Sequence, residues 1–378
     1  MTELAKPEYR VRLFLSVDLT GSTDFKSKRG QTSLDWLKAF QKFYGEFPSM
    51  FAERYCTICE GIPDIGNSEK CSEPKVWKTI GDEILFVNRV NSITQLGAFV
   101  SAFAETLKDF GSEIHTTHSL NTKGNGWVAA FPSPNCSIGL SRDGNDPLSG
   151  NSDLLTEKFE SQVDENPHKF DFLGKGIDGG FRISRNSTID TFTISPALAQ
   201  LLCRAKRNDE TTCFNCEFHF HEPQKLKGVV GGQYYPIVSI DTNRDQAQKD
   251  IHNLQAELLH QPSNAEFSVL AEYLEKYIDY HGIEKPALPL SHSGAAAKEP
   301  DHYIEYIKQW ADEAGKLKAA EALELEAGEN DGITKNGNAR EALDDARISL
   351  NKLLELTRSA TEMLENPNEN PDADEPKV

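Results

Sequence analysis

Runs of alternating and then continuous apolar residues predict the strands of the first 240 residues. Residues 9–19, YRVRLFLSVDL, alternate and then become apolar, as a strand does when it enters the interior of a sheet. Residues 76–86, VWKTIGDEILF, place a β-rich run on each side of Gly81-Asp82, which predicts a hairpin with a two-residue turn. We predict further strands at 127–131, 218–221 and 234–240, and strands followed by short helices in 170–185 and 191–205.

Helical spacing of apolar residues separates these strands. Residues 34–55 have Leu or Phe three or four positions apart, and residues 93–110 repeat this pattern up to Gly111, which is predicted to close the helix. Residues 132–168 are rich in Ser, Asn, Asp, Gly and Pro and predict an extended loop. Trp127, in the run GWVAAFP, is predicted to be a core residue rather than a stacking platform for a base.

Interleaved helices and hairpins predict an α+β fold, a sandwich with a largely antiparallel sheet. Beyond Asp241 helical periodicity continues alone, through 246–260, 265–281, 300–325 and 338–365. We therefore predict an α+β domain over 1–243 with a loop insertion at 132–168, an acidic accessory helical region over 244–365 and a disordered tail over 366–378.

The net charge of −19 is concentrated in the C-terminal part of the chain. Residues 246–378 carry 13 basic and 27 acidic side chains, whereas residues 1–245 carry 27 basic and 32 acidic ones. An acidic surface repels phosphate backbones and anionic lipids, so we expect neither nucleic acid nor a membrane as a partner. The sequence has no long apolar run and no basic-then-apolar leader, which predicts a cytoplasmic protein.

The seven cysteines, an odd number, favour reduced thiols over a disulfide framework. Two Cys-x-x-Cys pairs, Cys56 with Cys59 and Cys213 with Cys216, leave open a zinc site of four thiolates. Because more than 150 residues separate the pairs, free thiols are the preferred interpretation.

Two aspartates stand where predicted strands end, Asp18 after the first strand and Asp82 in the hairpin turn. An aspartate in a turn is ordinary, because its carboxylate can bond the local backbone. Two that converged would suit a pair of Mg2+ ions bound to a nucleoside triphosphate, since Mg2+ prefers a few carboxylates together with phosphate oxygens and water. The small polar residues after Asp18 predict a turn whose backbone amides can face an anion.

Three segments in order, FLSVDLTGST, KTIGDEILF and FDFLGKGIDGGFR, resemble the functional segments of class III nucleotidyl cyclases. In that family a strand ending in Asp precedes a turn over the triphosphate, and a hairpin with Lys-x-x-Gly-Asp supplies the second metal-binding Asp. The third segment of the family supplies an arginine. The resemblance covers residues 9–240 and implies the α+β sandwich of that family.

The resemblance implies that Asp18, the main chain of Leu19, and Asp82 hold two Mg2+ or Mn2+ ions. Arg182 matches the arginine that stabilises charge on the α-phosphate, a role that suits a guanidinium because it is always charged. Lys227 stands near the family's triphosphate-binding lysine, although the second lysine of that pattern is Val229 here. The triphosphate itself is expected against the turn of Thr20, Gly21, Ser22 and Thr23.

Lys78 and Asp171 fall at the two positions that read the base in purine cyclases, where this pair accompanies adenine. An ammonium donates and a carboxylate accepts, so the pair also matches the edges of cytosine and uracil. Asp178 stands where most purine cyclases carry an asparagine that orients the ribose, and we count it with Arg182 as a catalytic candidate. Together with GWVAAFP and IDGGFR, this departure resembles the pyrimidine cyclases of Pycsar anti-phage systems, whose product activates a partner effector.

The resemblance therefore implies a homodimeric enzyme with shared active sites that converts UTP, or CTP, to 3′,5′-cyclic UMP, or cyclic CMP, and pyrophosphate. UTP is preferred only because cyclic UMP is the commoner product of that subfamily. An adenylate cyclase is the alternative within the family. The altered turn at Lys227 and the presence of Asp178 also leave open a catalytically inactive module that senses a nucleotide. A two-metal nuclease or phosphatase would give Lys78 and Asp171 no purpose.

Overall fold

Strand β1 (Arg10–Thr20) lies inside a seven-stranded sheet with helices on both faces. The computed structural model describes residues 5–27, 32–62, 65, 73–140, 155–207, 214, 216–259 and 265–329. The other strands are β2 (Val76–Ile80), β3 (Glu83–Val90), β4 (Asn121–Phe131), β5 (Cys136–Gly139), β6 (Phe170–Leu173), β7 (Thr191–Ile194), β8 (Phe218–Lys225) and β9 (Tyr234–Asp241). The sheet order is β2-β3-β1-β4-β7-β9-β8, and the strand pairs are antiparallel except β4 with β7. The predicted α+β fold with a largely antiparallel sheet is confirmed.

Helices flank this sheet and continue beyond it, and strands β5 and β6 form a separate two-stranded ribbon. The helices are α1 (Ser22–Ser27), α2 (Ser33–Glu60), α3 (Ile93–His118), α4 (Glu157–Glu165), α5 (Lys175–Ile183), α6 (Pro196–Lys206), α7 (Gln246–Leu258), α8 (Phe267–Tyr280) and α9 (Asp301–Glu329).

The alternating residues of β1 face two different environments. Leu13, Leu15 and Val17 belong to the large apolar core that the sheet forms with α2 and α3. Since successive side chains of a strand point to opposite faces, Phe14 and Asp18 lie on the other face. Phe14 joins the second core there. The apolar end of this face supports its polar end, where the candidate site lies.

Residues 132–168 are not mainly a loop, so that prediction is wrong for their described parts. Strand β5 pairs with β6, and α4 begins after Thr156, whose side chain accepts a hydrogen bond from the Phe159 amide at 3.2 Å. Glu160 of α4 forms a buried ion pair with Arg12 of β1 at 2.7 Å. Only Phe159 and Val163 of this short helix join the core, which is too few apolar positions to predict a helix from their spacing. Residues 141–154 lie outside the described residues.

Helix α3 does not close at Gly111, as predicted, but continues to His118. A Cβ atom on residue 111 would lie 2.2 Å from Cζ of Arg244, and Arg244 donates from Nη2 to the carbonyl of Leu107 at 2.8 Å. Gly111 therefore makes room for an arginine. The helix ends at Ser119, whose φ of 56° is left-handed.

Strand β4 is longer than predicted, because it includes residues 121–126 before the apolar run 127–131. Gly124 and Gly126 interrupt the apolar pattern, and Cβ atoms there would lie 2.6 and 2.9 Å from leucine side chains of the core. These glycines mark close packing of side chains against the strand. Trp127 is fully buried and stacks on Phe14 with ring centroids 5.2 Å apart, which confirms its place in the core.

Helices α8 and α9 contact the α+β part of the chain, whereas α7 has no buried residue. Helices α7, α8 and α9 confirm the predictions for 246–260, 265–281 and 300–325, whereas 338–365 and 366–378 lie outside the described residues. Leu270 and Leu274 of α8 belong to the same core as β1. The predicted boundary after residue 243 stays a prediction, and the parts on its two sides share one core. None of the described helices combines the length and apolar character needed to cross a membrane.

Candidate active site

Asp18 and Asp82 lie side by side at one end of the sheet. Asp18 is directly opposite Glu83 in the β1–β3 pair, and the Leu19 amide donates to the Asp82 carbonyl at 3.0 Å. Gly81, with a φ of 63°, makes the turn between β2 and β3 that places Asp82 there. The fold therefore brings together the two aspartates that the sequence analysis selected.

An acidic corner is formed by Asp18, Asp82, Glu83 and Lys123. Lys123 lies opposite Asp18 in the β1–β4 pair, with its Nζ 3.0 Å from Asp18 Oδ2. Burial raises the pKa of Asp18, Lys123 opposes this, and the charge of Asp82 adds to the increase. Burial also raises the pKa of Glu83, against a hydrogen bond that Ser16 donates to it. The three carboxyl groups outnumber the one lysine, which favours a bound cation.

The donor set of the acidic corner fits the predicted metal ions. Asp18 and Asp82 offer carboxylate oxygens, the ligands that Mg2+ and Mn2+ prefer. The side chain of Asp18 is 28% exposed, so one side of it is open to a ligand from solvent. The ammonium of Lys123 occupies Asp18 Oδ2 and competes with a metal ion for the negative charge of this carboxylate.

The turn after Asp18 begins as predicted and contacts the hairpin. Thr20 ends β1, Gly21 has a φ of 87°, and Ser22 and Thr23 begin α1. The Ser22 hydroxyl donates to Asp82 Oδ2. This bond fixes the turn against the second aspartate.

Lys78 and Asp171 also meet, in a second cluster. Lys78 Nζ lies 3.0 Å from Asp171 Oδ1, across from β2 to β6. A β-bulge in β2 gives this strand one extra residue opposite β3, so Trp77 and Lys78 both turn toward the same face. Trp77 Nε1 then donates to the Phe170 carbonyl at 3.0 Å, which holds β2 and β6 together.

Helix α5 carries the two catalytic candidates on one face, because Asp178 and Arg182 are four residues apart. Asp178 is exposed and Arg182 is half-buried. Gly180 lets the helix approach the sheet, since a Cβ atom there would lie 2.1 Å from Cδ2 of Trp127. Asn125 of β4 donates to the Gly180 carbonyl at 3.4 Å. Gly180 is therefore a packing residue.

Arg182 lies beside the turn that contains Lys227. A Cβ atom on Gly228 would be 3.9 Å from Nη2 of Arg182, and Gly228 has a φ of 72°. Lys227 is exposed, whereas Val229 is buried in a small cluster with Ile183. Arg182 therefore lies against the turn that carries Lys227, and Val229 serves packing.

The predicted site residues form separate groups within one chain. Among the described residues, no hydrogen bond or ion pair connects Asp18 or Asp82 to Lys78, Asp171 or Arg182. No motif in the sequence points to Lys123 or Glu83 of the acidic corner, or to Ser16, which donates to Glu83. Lys123 lies in the run 121–126, NTKGNG, where polar residues and glycines alternate toward the end. This alternation is strand-like, but the run contains no apolar residue.

The zinc alternative stays a prediction, because one of its four cysteines lies outside the described residues. Cys56 and Cys59 lie on α2 and Cys216 precedes β8, while Cys213 lies outside the described residues. The described part of the chain has no group of three or more His, Cys, Asp or Glu placed to hold a metal ion by themselves, so ions at the acidic corner would need phosphate oxygens and water as further ligands. Since Cys213 is not described, the four-thiolate site itself stays untested.

No family model and no curated protein matches the chain. Among solved structures, it is similar to the adenylyl cyclase CyaB from P. aeruginosa, with 11% identity and a TM-score of 0.40, over 62% of this chain and 94% of that one. The guanylyl cyclase Cya2 matches with 14% identity and a TM-score of 0.35, over 62% and 93% of the two chains. The monomeric guanylyl cyclase domain of the RhoGC fusion protein from the aquatic fungus Blastocladiella emersonii matches with 13% identity and a TM-score of 0.34, over 62% and 98%.

Proposed function

We propose that this protein is a nucleotidyl cyclase whose substrate is a pyrimidine nucleoside triphosphate. The observation that carries the proposal is the pairing of Asp18 with Asp82, where the Leu19 amide bonds the Asp82 carbonyl at 3.0 Å. This contact joins the two segments that resemble the metal-binding segments of class III cyclases. In the proposed reaction the 3′-hydroxyl of the substrate attacks its own α-phosphate, and pyrophosphate leaves.

Asp18 and Asp82 would hold two Mg2+ or Mn2+ ions, which when bound activate the attacking hydroxyl and neutralise the leaving pyrophosphate. Arg182 would donate to the α-phosphate oxygens as negative charge develops on them. A guanidinium can engage two oxygens at once. Lys227, on the turn beside Arg182, supplies a further cation for the triphosphate.

Lys78 and Asp171 would read the base. The ammonium has three protons, so Lys78 can keep its 3.0 Å contact with Asp171 and still donate to a base acceptor. Asp171 accepts from the base amino or imide group. The pair matches adenine, cytosine and uracil, so an adenylate cyclase remains the alternative within this proposal.

The pyrimidine assignment is supported by Asp178 and by the runs around Trp127 and Gly180, which resemble the Pycsar cyclases. The exposed carboxylate of Asp178 lies on the same face of α5 as Arg182. UTP is the first substrate to test and CTP the second. The cyclic product would act as a signal for a downstream effector in anti-phage defence.

A homodimer would complete the active site. Because Asp18 and Asp82 make no bond to Lys78, Asp171 or Arg182 within the described chain, a head-to-tail pair would set one protomer's acidic corner against its partner's base-reading pair and arginine. The hairpin with Lys78 in its strand and Asp82 in its turn would then serve two sites. Activity is expected to fall on dilution below the dimerisation constant.

The test is to incubate the protein with UTP, CTP, ATP or GTP and Mn2+, and to identify cyclic products by mass spectrometry. We expect cyclic UMP or cyclic CMP, and no product from Asp82→Asn, which keeps the shape of the side chain but removes its charge. Asp109→Asn, at an exposed ion pair of α3, is the matched control and should stay active. No cyclic product from any triphosphate refutes the enzyme, and cyclic AMP alone refutes only the pyrimidine assignment.

A catalytically inactive nucleotide-sensing module is the second candidate. The ion pair between Lys123 and Asp18 favours it, because a lysine there neutralises a carboxylate that a metal ion needs. This candidate predicts that a triphosphate binds with micromolar or better affinity and is recovered unchanged. Binding followed by product formation would exclude it.

A further inference from the structure

A buried polar cluster joins the C-terminal segment to the beginning of α5. Its members are Glu284 and His302, from the segment between α8 and α9 and the start of α9, Asn135 before β5, and the backbone of Gly174 and Gly176. None of these residues belongs to the acidic corner or to the base-reading pair. The cluster lies behind the helix that presents Asp178 and Arg182.

Asn135 is the central residue of this cluster. Its side chain is 1% exposed, and its Oδ1 accepts from the Gly176 amide at 3.1 Å, in the first turn of α5. A Cβ atom on Gly174, where φ is 137°, would lie 2.2 Å from that Oδ1. Asn135 Nδ2 donates to the Ala130 carbonyl at 3.0 Å, which ties α5 to β4. The position of Asn135 thus sets where α5 begins.

Glu284 holds the other side of Asn135. Asn135 Nδ2 also donates to Glu284 Oε2 at 3.3 Å, and the Ala130 amide bonds the same carboxyl group. Glu284 is 16% exposed, while its Oε1 is buried without a hydrogen-bond partner among the described residues and lies 4.0 Å from His302 Nε2. Burial of an acidic side chain with one oxygen unpaired costs folding free energy, so this residue calls for an explanation.

The segment that carries Glu284 is anchored at several points. The Ala287 amide donates to the Tyr9 hydroxyl at 2.9 Å, and the Ile93 amide donates to the Pro289 carbonyl at 2.9 Å. The Tyr303 hydroxyl donates to the Pro7 carbonyl at 2.8 Å. Glu284 is therefore held by backbone contacts that do not involve α5, so it can act as a fixed support for Asn135.

We propose that Glu284 is a positioning residue: through Asn135 it fixes the first turn of α5 and so the placement of Asp178 and Arg182. The inference rests on the proposed function only for the role of these two side chains. In this proposal the segment between α8 and α9 couples the C-terminal helices to the part of the site that contains Asp178 and Arg182. Loss of the contact between Glu284 and Asn135 keeps the overall fold intact and makes helix α5 easier to open.

The test compares Glu284→Ala with Glu284→Gln, which keeps the contact to Asn135, and with Asp279→Ala, which breaks only the exposed pair of Asp279 with Lys285. Hydrogen exchange of the amides 175–183 is measured in the full chain, with those of α3 as reference. We expect Glu284→Ala to speed exchange in α5 about tenfold and to leave α3 unchanged, because local opening costs less free energy. The Gln variant and Asp279→Ala should match the wild type.

Catalysis provides the second measurement. Glu284→Ala should lower kcat more than it changes KM, because Arg182 acts on charge that develops in the transition state. Asn135→Ala should have the same effect, and the double variant should be no worse than Asn135→Ala alone, since the two residues act in series. Additive losses would overturn the relay through Asn135.

Other outcomes separate this proposal from the enzyme assignment. If the wild type makes no cyclic product but α5 loosens as expected, the proposed function fails and the positioning role stands. If exchange in α5 is unchanged in Glu284→Ala, or rises equally in Asp279→Ala or in α3, the positioning role is refuted. Should Glu284→Ala not fold, Glu284→Asp, which retracts the carboxyl group from Asn135, replaces it with the same expectations.

Discussion

Lys123 and Asp18 face each other across the β1–β4 pair, with the lysine Nζ 3.0 Å from Asp18 Oδ2. The ammonium of Lys123 is thus the positive charge that Asp18 contacts in this structure. The same register puts Glu83 on the opposite side of Asp18, in β3. Asp18 is thus the shared member of an acidic corner whose charge balance depends on what binds there.

Lys123→Met is expected to strengthen Mn2+ binding in the absence of nucleotide. A partly exposed ion pair is worth about 1 kcal/mol, so loss of the competing ammonium should raise the affinity about five-fold. Calorimetric titration with Mn2+ measures this. Lys123→Arg keeps the positive charge and should bind Mn2+ as the wild type does. Weaker binding by Lys123→Met would show that the lysine supports the metal site.

The free energy of unfolding should depend on pH through Glu284. Burial raises the pKa of its carboxyl group to about 8, against an ordinary value of 4.5. Below pH 4.5 both states hold the proton, and between pH 4.5 and about 8 only the folded state does. Stability is therefore lost as pH rises through this window, by on the order of 1 kcal/mol per pH unit.

Glu284→Gln isolates this effect, because it removes the carboxyl group and keeps the amide-sized side chain. His302, which also faces the cluster, is present in both proteins, and Tyr9 does not titrate in this range because burial raises its pKa above the ordinary value of 10. Urea unfolding at pH 5, 6, 7 and 8 measures the free energy of unfolding of both proteins. The value for Glu284→Gln should rise relative to that of the wild type with each step in pH. If the free energies of unfolding of the two proteins changed in parallel with pH, this would contradict the burial of an ionisable group at position 284.

Gly180→Ala should destabilise the protein by about 1–3 kcal/mol, because the added methyl group would overlap the ring of Trp127. The matched control is Gly179→Ala in the same helix, where an added Cβ atom has no neighbour within 4 Å. Alanine is a better helix former than glycine, so this control should gain about 0.5–1 kcal/mol. Chemical denaturation measures both variants, and equal effects would contradict the close packing of α5.

Arg12→Ala should cost about 3–5 kcal/mol of unfolding free energy, because it leaves the fully buried Glu160 without its charged partner, although Asp164 keeps Arg10. The control is Lys42→Ala, whose ion pairs with Glu46 and Glu113 lie at the surface and contribute about 1 kcal/mol or less. Thermal unfolding of the two variants tests the difference. A loss for Arg12→Ala no larger than that for Lys42→Ala would refute a structural role for the buried network.

The sequence determined those parts of the protein that local physics controls. Apolar runs located β1 and the β2–β3 hairpin, and helical spacing located α2 and α3. Gly81 predicted the turn that presents Asp82, because few other residues adopt its positive φ. Asp18 and Asp82 can be selected from the sequence alone, because strand ends and turns are where such side chains can converge.

Tertiary structure decided what depends on contacts between distant residues. Gly111, Gly124 and Gly180 look like breaks in a sequence, yet each admits a side chain from another element at a distance that a Cβ atom would forbid. Helix α4 has a weak apolar pattern because only Phe159 and Val163 join the core, while Glu160 beside them is buried as the partner of Arg12. The ion pair of Lys123 with Asp18 and the support of Asn135 by Glu284 follow from strand register and chain packing. Non-local contacts of this kind leave no periodic signal, so only the folded chain contains them.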